Sequence, residues 1–159
     1  MKTCPTELMK MLKAIETDIN EIHQDDESNS VTTVDKTGKE LFKSSYNYSE
    51  NRKKIEELLK KEREIRCVLS QFNSTHNVDG YDFTVCEGLI RLGQLRNEIR
   101  MLIYLSRKPE YRSQDDSEDY LKVCYDINQA KKDLKNLQRE LSALQIAIDR
   151  TNLNSVIDY

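Results

Sequence analysis

The chain has 159 residues, long enough for one domain that buries its own core. Lysine and arginine number 25 against 28 aspartates and glutamates, for a formal net charge of -3, and 33% of residues are charged. That mixture, with four glycines, two prolines and no tryptophan, describes long helices whose outer faces carry both signs of charge. It argues against a nucleic-acid binder, which shows a basic surplus or stripe. Even the basic runs Arg52-Lys53-Lys54 and Lys60-Lys61 are interleaved with glutamates.

The first helix is expected over 5–27, opening on Pro5, whose missing N–H goes unpaired at that position anyway. Leu8, Leu12, Ile15, Ile19 and Ile22 follow at spacings of four and three, and the helix fails in Gln24–Asn29, where acids crowd the negative end of its dipole. Residues 28–48 read as a short β-hairpin or a loop, with the hairpin preferred, because Asp35-Lys36-Thr37-Gly38 has the turn chemistry of a type I turn with a glycine bulge. A second helix is expected over 49–72, with Ser49 as its N-cap and Glu62 on or beside its apolar stripe. Asp79-Gly80 then reverses the chain.

The third helix, 84–107, opens on Thr84-Val85-Cys86-Glu87, the pattern of a capping box. Its apolar face (Leu89, Leu92, Leu95, Ile99, Leu102, Ile103, Leu105) is too wide for one stripe, which places it in the centre of a bundle, packed from several sides. Gly88 and Gly93 weaken it, and close approach by another helix is the reason to accept them. An acidic linker occupies 108–117, and Asp116 or Ser117 caps a fourth helix over 118–152. From Tyr120, Val123, Ile127 and Ala130 to Leu134, Leu137, Leu141, Leu144, Ile148 and Thr151 the spacing alternates three and four without a slip, a stripe of about four heptads. At about 1.5 Å per residue that helix approaches 50 Å, against about 35 Å for the second and third. An overhanging stripe needs a partner, so Leu134, Leu137, Leu141, Leu144 and Ile148 are the expected seam of a homo-oligomer.

These elements predict an all-α fold: one domain over 1–159, an elongated antiparallel bundle of four long helices with coiled-coil-like packing. Residues distributed along the chain resemble a family of bacterial helical proteins, some of which carry the name septicolysin. The likeness is carried by Tyr48, Asn73-Ser74-Thr75, Gly80 with Phe83-Thr84 and Glu87, then Leu89, Arg91 and Leu95, Tyr111-Arg112-Ser113, and Ile148–Asn152 with Asn154 and Ser155. The sequence departs from the family at Leu92 and Gly93, where a basic pair and an acid are usual, and again at Leu153, Val156 and Ile157. The resemblance implies a membrane-active, cytolytic role without assigning it to particular side chains.

Candidate sites are few. Asn73 and Thr75 end the second helix, Glu87 and Arg91 begin the third, and Asn152 ends the fourth. If the second and fourth helices run parallel, these groups gather at one end and offer amides, a hydroxyl, a carboxylate and a guanidinium to a small polar ligand. The competing reading is that they terminate helices. His23 and His76 lie near acids but without metal-ligand spacing, so no metal or other cofactor is expected. Cys4, Cys67, Cys86 and Cys124 stand singly, and the last three are expected to act as small buried hydrophobes. No phosphate loop, dinucleotide fingerprint or nucleophile elbow is present, so the chain leans away from catalysis. No run approaches the roughly 20 apolar residues of a membrane span, and the opening residues do not form a signal peptide, so a cytoplasmic location is expected. The functional expectation is a non-enzymatic homo-oligomeric interaction protein, with membrane activity or polar-ligand binding as alternatives.

Overall fold

The computed structural model describes residues 2–113 and 119–159. Among them the chain is mostly helical, with four helices and two small antiparallel strand pairs. The elements run β1 (Lys2–Thr3), α1 (Pro5–Asn29), α2 (Tyr48–Thr75), α3 (Val85–Ser106), β2 (Tyr111–Ser113), β3 (Tyr120–Lys122), α4 (Ile127–Asn154) and β4 (Ile157–Asp158). They form two compact units: Met1–Phe72 with Leu153–Tyr159, and Asn73–Asn152.

In the first unit, α1 starts at the proline that the sequence singles out. The Thr3 hydroxyl donates to Glu7 Oε2 at 2.6 Å and the Cys4 N–H reaches the same oxygen at 3.4 Å. Those two bonds, the hydroxyl's first, hold the Glu7 carboxyl below its ordinary range. Leu8 and Ile15 of α1 are buried against Ile65 of α2, with Leu12, Leu58 and Leu69 packed beside them. Leu58 turns inward, whereas Leu59 is exposed, and Glu62 sits at the rim bonded to Arg66 Nε at 2.7 Å.

At the other end of the pair, the acids that close α1 have partners. The Asn51 amide donates to Asp25 Oδ2 (2.8 Å) and to Asp26 Oδ1 (3.0 Å), the Tyr46 hydroxyl donates to Asp26 Oδ1 (2.9 Å), and Arg52 pairs with Asp26. α1 consequently runs to Asn29.

The connection between α1 and α2 folds back as the Asp35–Gly38 turn predicts. Asp35 Oδ1 accepts the N–H groups of Thr37 (2.8 Å) and Lys39 (3.0 Å), Gly38 has φ +84°, and Val34 bridges Glu40. Gly38 is the residue that tolerates that left-handed conformation. After α4 the chain pairs with its own beginning: Thr3 lies opposite Ile157 and Lys2 opposite Asp158, a strand pair that the spacing of apolar residues does not predict.

The second unit opens on the loop between α2 and α3. Gly80 takes φ +80°, the Val85 N–H donates to His76 O at 2.8 Å, and the Asp79 N–H donates to Thr151 Oγ1 at 2.8 Å, tying the loop to the end of α4. α3 opens on the expected capping box: the Glu87 N–H donates to Thr84 Oγ1 (3.3 Å) and Glu87 Oε2 accepts the Thr84 N–H (2.8 Å). α3 and α4 lie antiparallel. A Cβ placed on Gly88 meets Ile148 Cδ1 at 3.1 Å near one end, and the Tyr125 hydroxyl donates to Leu105 O at 2.8 Å near the other. Gly88 is therefore accepted for close approach, as the sequence suggests, whereas Gly93 has nothing within 4 Å of the same test atom.

Three sequence expectations change here. The fourth helix does not start at 118. Tyr120–Lys122 pairs with Tyr111–Ser113 as a strand, and α4 begins at Ile127 behind Asp126, whose Oδ1 accepts the Asn128 N–H at 2.8 Å. Tyr120 and Val123 continued the three-four spacing only by coincidence, and the expected linker over 108–117 holds strand β2. The expected caps Asp116 and Ser117 lie outside the described residues.

Second, α4 has 28 residues against 22 for α3, so it is shorter than the sequence predicts but still the longer of the two. Leu144 and Ile148 are buried within the chain, and Leu134, Leu137 and Leu141 are half-buried. A heptad stripe states that a helix packs lengthwise, not that its partner is another chain. Third, Cys67, Cys86 and Cys124 are exposed instead of buried.

Candidate functional site

The predicted polar cluster is only partly assembled. Glu87 and Arg91 both line a hollow of about 260 Å³ with Tyr81, Phe83, Glu140 and Leu144. Asn73, Thr75 and Asn152 are not part of that lining. The two charged groups already have partners: Glu87 serves the Thr84 cap, and Arg91 Nε and Nη2 donate to Glu140 Oε1 at 3.0 and 2.8 Å. The Thr84 N–H, followed by the Thr84 hydroxyl, holds the Glu87 carboxyl below its ordinary range, which is the signature of a helix cap. Thr75 Oγ1 lies 3.1 Å from His76 Nδ1, Asn73 is half-buried, and Asn152 Oδ1 is buried without a hydrogen-bond partner among the described residues. This end of the unit organises helix termini, and its hollow falls short of the roughly 300 Å³ at which small-molecule pockets begin. Both histidines are exposed.

A larger unsatisfied surface lies on α3. Its buried residues Val85, Gly88, Leu92, Leu95 and Ile99 follow at three and four, giving one inward stripe. At about 100° per residue, Cys86, Ile90, Gly93, Asn97, Met101 and Tyr104 form a second stripe on the opposite side, also at spacings of three and four. This second stripe is open. Ile90 is 59% exposed, Met101 59%, Tyr104 60%, and Leu89 at its edge 46%. Cys86 and Asn97 are exposed as well.

The wide apolar face of α3 predicts packing from several sides. The described residues cover one side only. The width of that face is the sequence signal of the outer stripe.

Charge flanks this stripe asymmetrically. Arg96, Arg100 and Arg107 follow one edge, while Glu87, Gln94 and Glu98 follow the other. Arg96 is partly engaged, donating to Gln145 Oε1 at 3.2 Å. In the middle sit Gly93, which leaves room for a close neighbour, and Asn97, a polar group of the kind that fixes register when it falls on a packed stripe.

Among the described residues, no helix is long and apolar enough to cross a membrane. No protein-family model matches the chain. No curated protein matches it. Among solved structures, the chain is similar to a crystal structure of a functionally unknown conserved protein from Corynebacterium diphtheriae, at 16% identity and a TM-score of 0.75, covering 99% of this chain and 100% of that one. At that identity the likeness concerns the fold alone.

Proposed function

We propose that this chain is a non-enzymatic interaction protein that assembles with copies of itself through the outer stripe of α3. The observation that carries the reading is that one helix has two apolar stripes on opposite sides, of which the described residues cover only one. Burying Leu89, Ile90, Met101 and Tyr104 from their half-exposed state yields about 1 kcal/mol or a little more each, and two copies double it. The sum is comparable with the roughly 4–15 kcal/mol that association costs, so the stripe supports a weak, concentration-dependent dimer.

The charged edges choose the orientation. Two α3 helices packed parallel bring the arginine edge of each copy against the glutamate edge of the other, whereas antiparallel packing sets Arg96 and Arg100 beside their own counterparts. Gly93 permits close approach of the two backbones at the middle of the contact.

The test is sedimentation equilibrium of the wild type and of Ile90→Asp over the micromolar range. The reading expects a concentration-dependent dimer for the wild type, and a monomer with unchanged thermal melting for the variant, because Ile90 lies outside the core. A wild type that stays monomeric throughout would refute it.

A further inference from the structure

Asn97 is the one carboxamide on the outer stripe of α3, amid Cys86, Ile90, Gly93, Met101 and Tyr104. On helical grounds asparagine is a poor choice there. The position lies in the interior of α3, which spans Val85–Ser106, and asparagine is less favourable in a helix interior than alanine, leucine or the long polar residues. Asn97 is exposed, so it adds nothing to the core of its own chain. The ordinary account is a surface position where any polar residue serves. That account gives no weight to the spacing around it. Ile90 stands seven residues before Asn97 and Tyr104 seven after, both largely exposed, so the three form successive layers of a lengthwise contact.

We infer that Asn97 selects the parallel, in-register pairing of two copies by hydrogen bonding to its own counterpart, an inference that rests on self-association through this stripe. In a parallel pair at equal height, each residue of the stripe meets itself. A carboxamide is self-complementary, because its amide N–H groups donate and its carbonyl oxygen accepts, so two Asn97 side chains satisfy each other. Asparagine is short, and the pair needs close backbones to meet. Gly93, one turn before it, permits that approach, since a Cβ there meets nothing within 4 Å.

Other arrangements take the amide out of water without such a partner. The midpoint of the stripe from Cys86 to Tyr104 is level with Leu95, so an antiparallel pair centred there sets Asn97 against Gly93, which has no side chain to bond. A parallel pair slipped by one heptad leaves one Asn97 facing Ile90. A buried amide left unpaired weakens a contact by roughly tenfold or more. The charged edges of α3 favour the parallel orientation on separate grounds. Asn97 adds the register, and a polar layer does so at a cost in affinity, in keeping with a weak dimer.

The experiment compares a parent protein with its Asn97→Leu variant by sedimentation equilibrium and by disulfide exchange in a glutathione buffer. Both carry Tyr104→Cys and have Cys4, Cys67 and Cys124 changed to serine, so that thiols stand only at positions 86 and 104. Parallel pairs join like positions, whereas antiparallel pairs join 86 to 104, and mass spectrometry of tryptic peptides tells the two apart. The parent is expected to join like positions only. Asn97→Leu is expected to dimerise at least roughly tenfold more tightly and to join 86 to 104 in a substantial share of its pairs. Asn97→Asp in the parent is expected to be monomeric at neutral pH, where two carboxylates would meet, and to dimerise again as acid protonates them. Its melting in dilute neutral solution is expected to match the parent's, because the position is exposed. Unchanged affinity and like-position disulfides alone in Asn97→Leu would overturn the role of Asn97 and leave self-association standing, as would an Asn97→Asp dimer at neutral pH. A parent that stays monomeric would instead refute self-association through α3, and this role with it.

Discussion

Gly88 and Gly93 provide an internal comparison on one helix. Replacing either by alanine removes the same backbone freedom and gains the same helix propensity, about 1 kcal/mol. Their surroundings differ. A Cβ on Gly88 meets Ile148 Cδ1 and Val78 Cγ2 at 3.1 Å and Phe83 Cε2 at 3.3 Å, whereas a Cβ on Gly93 meets nothing within 4 Å. Three contacts tighter than ordinary packing, two of them to the buried Val78 and Ile148, cost about 1–3 kcal/mol. Gly93→Ala is therefore expected to stabilise by about 1 kcal/mol, and Gly88→Ala to be neutral or to destabilise by up to about 2 kcal/mol. The two variants separate by about 1–3 kcal/mol, or several degrees in melting temperature for a chain of this size. Thermal and urea unfolding followed by circular dichroism reads the difference. Equal stabilisation by both alanines would refute the close approach of α3 to α4 and to the loop before it.

Leu144 is 1% exposed, so Leu144→Ala should cost about 2–5 kcal/mol in urea unfolding, while the same change at half-buried Leu134 should cost clearly less. Equal costs would contradict the inward turn of the α4 stripe. The lowered Glu87 carboxyl contributes stability that is present above the ordinary carboxylate pKa of about 4.3 and is lost as pH falls through the lower folded value. Glu87→Gln is thus expected to melt below the wild type at neutral pH, with the gap closing in acid, and a gap independent of pH would contradict the cap's charge. Thr84→Ala should destabilise by about 0.5–2 kcal/mol in thermal melts, and a change smaller than this would leave the capping box without energetic weight.

What the sequence reveals and what it hides divide along physical lines. The Asp35–Gly38 turn and the Thr84–Glu87 cap are local chemistry, written within four consecutive residues, and both fold as read. The start of α4 is not local. Tyr120 and Val123 fit a helical spacing, and only pairing with Tyr111–Ser113 diverts that segment into a strand. The apolar stripes of α3 and α4 are visible as amounts of apolar surface, but spacing carries no information about what covers a stripe. That is why α4, read as an interface, buries Leu144 and Ile148 within the chain, while α3, read as a centre, exposes Ile90, Met101 and Tyr104. The polar cluster fails as a site for a related reason: residues that cap helices have the same composition as residues that bind ligands.

Cys86, exposed on the outer stripe of α3, permits the most direct measurement. With Cys4, Cys67 and Cys124 changed to serine, parallel contact of two α3 helices brings the two Cys86 thiols to the same level, within the roughly 4.4–6.8 Å Cα separation that a disulfide spans. Mild oxidation should then give a covalent dimer, reversed by reductant and suppressed by Ile90→Asp. A protein that stays monomeric on oxidation while its Cys86 remains reactive to a small thiol reagent would contradict self-association through α3.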